Sequence, residues 1–223
     1  MHLLHISDPT LPIGGYTHSA GLETYVQYGL VTNAETAKEF ASQMLSRNIQ
    51  FSDAAYMSLA YDAAANGQIE RLLELDGQCT AIKLPMEMRQ ASQKLGMRLL
   101  KIFEPRNQHD LSASFKKELL NKNANGNYCI VFGMYAALMG IDKEQALLGF
   151  YYNAAVGFVT NAVKLVPLSQ QSGQEILFAL QPLLGELAAN TMQPNEKLMG
   201  ICCTGFDIRS MQHEQLYSRL YMS

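Results

Sequence analysis

Apolar residues recur along this chain at intervals of three and four far more often than at intervals of two, so the pattern predicts helices almost everywhere and strands almost nowhere. Thr32-Asn33-Ala34-Glu35 reads as a Thr-x-x-Glu capping box, and Ala37, Phe40, Ala41, Met44 and Leu45 then fall on one helical face. Gly67 closes that helix, and Ile69, Leu72 and Leu73 begin a short successor. Pro85, tolerated in a first helical turn, precedes Met88, Ala91, Leu95, Leu99 and Ile102, a one-faced run that stops before Pro105. Arg89, Ser92, Gln93 and Gly96 gather on the opposite stripe. A mid-helix Gly costs roughly 1 kcal/mol against Ala, so Gly96 needs a packing reason such as a close approach.

Residues 121–127 (NKNANGN) form the clearest loop. YCIVFGMYAALMG then runs apolar on nearly all faces, a buried helix closing at Gly140, and Asp142 with Gln145 caps the next, which extends toward Val166. Pro167 ends it, Ser172-Gly173-Gln174-Glu175 offers another capping box, and the following helix meets Pro182, where it should kink or break. The fold class is therefore all-α: a single compact domain of about eight to ten helices, without repeats, low-complexity segments or a coiled coil.

The last seventeen residues, Asp207 to Ser223, carry costly side chains for a terminus. Ile208, Met211, Gln215 or Leu216, and Leu220 lie near helical spacing, with Tyr217, Arg219 and Tyr221 in the last turn. Tyr and Arg are the residue types that form interface hot spots, whereas termini without such residues are ordinarily disordered. Residues 1–206 thus read as the helical body and 207–223 as a docking segment of the same domain, seated either on that body or on a partner.

Composition narrows the function classes. Only 17% of the 223 residues are charged, below the roughly 25% of ordinary soluble domains, while twelve Met and eleven Tyr accompany an absence of Trp. This suits a large core or a surface partly buried in a permanent complex. A net charge of −3 without clustered Lys and Arg gives no footprint for nucleic acid. MHLLHISDPT lacks the layout of a signal peptide, and no stretch reads as the roughly 18 apolar residues of a membrane span, so the expected location is the cytoplasm. Cys79, Cys129, Cys202 and Cys203 show no CxxC and read as buried or idle thiols.

Candidate chemistry is sparse. Gly14-Gly15 and Gly21 lack the Gly-Lys-Ser/Thr of a phosphate loop, and Ser7-Asp8, Tyr16 and His18 form no nucleophile elbow. The His groupings are His2 with His5, His18 with Glu23, and His213 with Glu214, none spaced as a helical metal site with a third ligand. The vicinal Cys202-Cys203 near His213 is the one place where thiol and imidazole donors could converge. Glu87 with Arg89, and Asp62 with Glu70, read as helix-surface charges. The expectation is a protein with no catalytic residue, no cofactor-binding residue and no metal site of its own, and not an enzyme.

Four ordered motifs resemble one family. DPTLPIGGYTHSAGLETYV, RQASQKLGMRLL (Arg89 to Leu100), KLVPLSQQSGQ (Lys164 to Gln174) and the terminal SMQHEQLYSRLYMS together are similar to the urease accessory protein UreF family over essentially the whole chain. The resemblance implies an all-helical, cytoplasmic scaffold that forms a homodimer, binds the accessory protein UreH (also called UreD), and recruits and regulates the GTPase UreG. UreG brings nickel, and its GTP hydrolysis couples to delivery into apo-urease, whose bridging lysine must be carbamylated. The resemblance implies a UreH contact for the tail at Met211, His213, Tyr217, Ser218, Arg219 and Leu220, and makes Lys164, at the family's basic position before Pro-Leu, the candidate for a UreG contact. Lys164 stands where Arg is usual and Ser169 where Gly is typical, and Lys lacks the bidentate fork of Arg. A nickel-binding carrier would need a His-rich or Cys-rich tract, which is missing, and an uncharacterised helical enzyme would need titratable groups converging in a pocket.

Overall fold

A computed structural model describes residues 1–201 and 203–222, with the backbone but not the side chain of Tyr16. The chain begins with two single turns, α1 (His2–Ile6) and α2 (Leu22–Gln27), followed by α3 (Ala34–Gln43), α4 (Asp53–Ala65), α5 (Ile69–Ile82) and α6 (Met86–Phe103). Then come α7 (Asp110–Leu120), α8 (Tyr128–Leu138), α9 (Lys143–Leu165), α10 (Gln170–Thr191) and α11 (Thr204–His213). The described residues contain no strand, and nine of these helices reach ten residues or more, as the periodicity required.

α8 is the centre of the core. Every residue from Cys129 to Ala136 is buried, which explains its lack of a polar face. It packs against α4, whose Ala54, Ala60, Ala63 and Ala64 are small enough for the two helices to come close. Contact is so close that a Cβ on Gly133 would lie 2.4 Å from the Met57 carbonyl oxygen. α9 and α10 form an antiparallel pair against the same core. By length and composition α9 is apolar enough to cross a membrane, which the sequence reading missed. Its Leu147, Phe150, Tyr151, Phe158 and Val159 are instead buried among the other helices.

Several local expectations need correction. The helix read from residue 34 to 67 is interrupted: a wide turn over Met44–Asn48 and a 3-10 turn over Ile49–Phe51 separate α3 from α4. Polar side chains compete for the backbone there, with the Ser52 hydroxyl donating to the Asn48 carbonyl at 2.7 Å. The first capping box is Asn33 with Thr36, not Thr32 with Glu35, because Asn33 accepts from the Thr36 N–H. Ser169, not Ser172, caps α10, accepting from the Ser172 N–H at 2.9 Å. α10 also runs unbroken through Pro182, whose ring sits on an exposed face. Pro85 is the N-cap of α6 rather than its first turn, whereas Asp142 caps α9 through the Gln145 N–H as read.

The RQASQKLGMRLL motif is a structural joint. Arg89 donates to the Lys83 and Leu84 carbonyls beyond the end of α5, the Ser92 hydroxyl accepts from the Tyr128 N–H, and Arg98 donates to the Ile13 carbonyl at 2.9 Å. A Cβ on Gly96 would meet the Gly126 carbonyl oxygen at 2.1 Å, so the glycine does have its packing reason. The 121–127 loop is held by Asp76, fully buried on α5, which accepts from the N–H groups of Asn125, Gly126 and Asn127. A buried carboxylate is satisfied by such converging backbone donors.

Candidate functional site

The carboxyl-terminal segment folds back on the amino-terminal one. α11 ends at His213 and the chain continues without helix, so Tyr217, Arg219 and Tyr221 do not occupy a helical turn as their spacing suggested. The reason is a competing acceptor. Glu23, buried in the first turn of α2, takes the N–H groups of Leu220 at 2.7 Å and Tyr221 at 3.1 Å, holding the backbone in a bent, non-helical path. Met222 N–H then donates to the Thr17 carbonyl, and the Gln27 amide donates to that of Ser218.

His213 is the centre of this closure. Its ring is buried, with Nε2 at 3.2 Å from Glu23 Oε2 and Nδ1 at 2.7 Å from Glu87 Oε2, in the first turn of α6. Arg219 donates to the other oxygen of Glu87 at 2.7 Å. Each ring nitrogen thus faces its own carboxylate, and Arg219 sets a guanidinium against the second of them. Glu87 is therefore not a surface partner of Arg89, and His213 pairs with neither Glu214 nor a metal-ligating thiol. Cys203 donates to the Arg47 carbonyl at 3.4 Å, separate from His213, and Cys202 lies outside the described residues. His18, grouped with Glu23 in sequence, lines a cavity of about 250 Å³, where burial first and Lys94 and Arg98 next lower its pKa.

This closure sorts the six tail candidates into two sets. His213 and Arg219 bond to the chain's own body, and Tyr221 is buried beside them. Met211, Tyr217, Ser218 and Leu220 face outward, Tyr217 completely so. Ile208 and Met222 are also exposed, and Arg209 lies 4.6 Å above the Tyr28 ring. These exposed side chains thus lie on or beside a segment anchored by the contacts of His213 and Arg219 with Glu23 and Glu87. Lys164 is exposed in the last turn of α9 and has no ion pair among the described residues. No catalytic arrangement of nucleophile, base and orienting group emerges among these residues.

A model of the UreF family matches residues 31–181. Urease accessory protein UreF of Actinobacillus pleuropneumoniae serotype 5b (strain L20) is 51% identical over 221 residues, covering 99% of this chain and 97% of that protein. The protein of that name from Haemophilus influenzae (strain ATCC 51907 / DSM 11121 / KW20 / Rd) is 48% identical over the same share of this chain and 94% of its own length. That of Sporosarcina pasteurii is 33% identical over 202 residues, 91% of this chain and all of the relative.

Proposed function

Because this chain belongs to the UreF family of urease accessory proteins, we propose that it is a non-catalytic scaffold for urease maturation, working as a homodimer that binds UreH and recruits the GTPase UreG. Nickel is the cargo of this assembly, delivered to apo-urease at the expense of GTP hydrolysed by UreG. The observation that carries the reading is the latched tail: His213, Glu23, Glu87 and Arg219 fix a terminus that would otherwise be mobile, and so hold Met211, Tyr217 and Leu220 outward as a preformed surface. Preorganisation of this kind lowers the ordering cost of association, and a fully exposed Tyr flanked by apolar side chains is the composition of an interface centre. Lys164, on a separate helix end, is assigned to UreG, and the cytoplasm to the whole assembly.

The test is co-purification of the full chain with UreH, and of UreG with that pair, with and without GTP. Capture of UreH by the wild type, and its loss on Tyr217→Ala with Leu220→Ala, is the expected result. A double variant that still retains UreH at wild-type levels would remove this surface from the interface.

A further inference from the structure

Two cysteines that the sequence pattern left idle face each other inside the core. Cys79, on α5, and Cys129, in the first turn of α8, are both fully buried, with their sulfurs 3.4 Å apart. The carboxylate of Asp53, which opens α4, completes a cluster in which one ligand atom from each residue lies within 4.8 Å of the others. Three separate helices thus bring two thiols and a carboxylate to one point.

The spacing suits coordination. Tetrahedral Zn–S bonds of about 2.3 Å place two sulfurs roughly 3.8 Å apart, a few tenths of an ångström from the distance found. Lys83 donates to Asp53 Oδ2 at 2.6 Å, leaving Oδ1 for a metal. The Tyr128 hydroxyl is buried without a hydrogen-bond partner among the described residues, and Tyr128, Asp53 and Lys83 all line the 250 Å³ cavity. That cavity borders the Asp53 side of the cluster, the side from which an ion would enter, and neither cysteine lines it.

Charge balance supports the same conclusion. Lys83 and Asp53 form an ion pair at 2.6 Å beside the two sulfurs. Taken as thiols, the two cysteines add no net charge to that pair. A divalent cation that displaces both thiol protons to solvent leaves two thiolates, the Asp53 carboxylate, the Lys83 ammonium and the ion, again neutral. The exchange breaks two S–H bonds, forms two metal–sulfur bonds and leaves no uncompensated charge in the core.

We propose that Asp53, Cys79 and Cys129 form a buried three-ligand site for a thiophilic divalent cation of the zinc class, loaded through the cavity beside Lys83 and Tyr128. The donor set of two thiolates and one carboxylate favours zinc and its neighbours over magnesium or calcium. The site differs from the sequence expectation of no metal of its own, uses neither Cys203 nor His213, and does not depend on the scaffold reading.

The test uses the isolated full chain, reduced and stripped of metal. Zinc titrated against a chromophoric chelator should bind at one equivalent, and cobalt should produce thiolate-to-metal charge-transfer absorption. Calorimetry in buffers of different ionisation enthalpy should count two protons released per ion. Cys79→Ser and Cys129→Ser should each weaken binding by about tenfold or more, while Cys203→Ser should not. A measurement on the wild type alone guards against misfolded variants: bound zinc should protect Cys79 and Cys129, but not Cys203, from alkylation mapped by peptide analysis. Absence of stoichiometric uptake, binding that persists in the double serine variant, or alkylation of Cys79 and Cys129 unaffected by zinc would each overturn the proposal.

Discussion

Glu23 and His213 lie 190 residues apart in sequence and meet at 3.2 Å inside the protein, where one carboxylate accepts from the imidazole ring and from two backbone N–H groups of the tail. This contact makes the terminus part of the fold rather than an appendage. It also separates what the tail does for stability from what it offers to a partner.

The first prediction tests the stability role. Replacing His213 with Ala leaves Glu23 and Glu87 as neighbouring carboxylates without their shared donor. Breaking a buried ionic arrangement costs about 3 kcal/mol or more, which in a chain of this size lowers Tm by on the order of 10 °C. Thermal melts of the purified variant measure it. An unchanged Tm would show that the closure contributes nothing.

Arg219 and Tyr217 should behave oppositely although they are near neighbours. Arg219→Ala removes a donor from Glu87 and should lower Tm by a few degrees. Tyr217→Ala touches only a solvent-facing ring, so Tm should hold, while UreH affinity should fall by about thirtyfold, equivalent to about 2 kcal/mol. Paired melting and binding-interferometry measurements distinguish the two, and equal Tm losses would contradict the sorting.

Removing residues 208–223 takes away His213, Arg219 and the backbone donors to Glu23 together. The truncated chain should therefore be markedly less stable in urea, not merely unable to hold UreH. A denaturation midpoint equal to that of the wild type would show the tail to be dispensable for the body.

Gly96→Ala should destabilise by about 1–3 kcal/mol despite the better helix propensity of Ala, because its methyl group meets the Gly126 carbonyl at 2.1 Å. Urea denaturation gives the sign directly. A stabilised variant would mean that the α6–α8 approach relaxes freely.

His18 provides a pH dependence with a defined sign. Burial, Lys94 and Arg98 lower its pKa from 6.5, so the folded chain binds this proton less readily than the unfolded one. The associated stability is fully present above about pH 6.5 and is lost as pH falls through the depressed folded value. Replacing His18 with Gln should flatten that part of the stability-versus-pH curve. An NMR titration placing the His18 pKa above its ordinary value would reverse the argument.

Helix periodicity exposed the fold well because α6, α8 and α9 are long and either one-faced or uniformly apolar. It failed where the backbone answers to polar side chains, as at Asn48 and Ser52, or to a distant carboxylate, as beyond His213. The candidate surface was half legible: its aromatic and apolar members stand out in the tail, but Glu23 and Glu87 sit in first turns of helices, where acidic residues are ordinary. No local spacing reveals that they converge on His213. The same limit hid Cys79 and Cys129, fifty residues apart and on different helices.

The order in which the ribosome makes this chain gives the latch a temporal meaning. Glu23 is synthesised 190 residues before His213, and also before Leu220 and Tyr221, the other groups that bond its carboxylate. A nascent chain can assemble α3 to α10 while its first turns still carry an unsatisfied carboxylate, because domains fold as their contacts become available. The latch over the amino-terminal segment thus closes only after α3 to α10 have been made. A chain arrested before His213 lacks every one of these bonds to the Glu23 carboxylate.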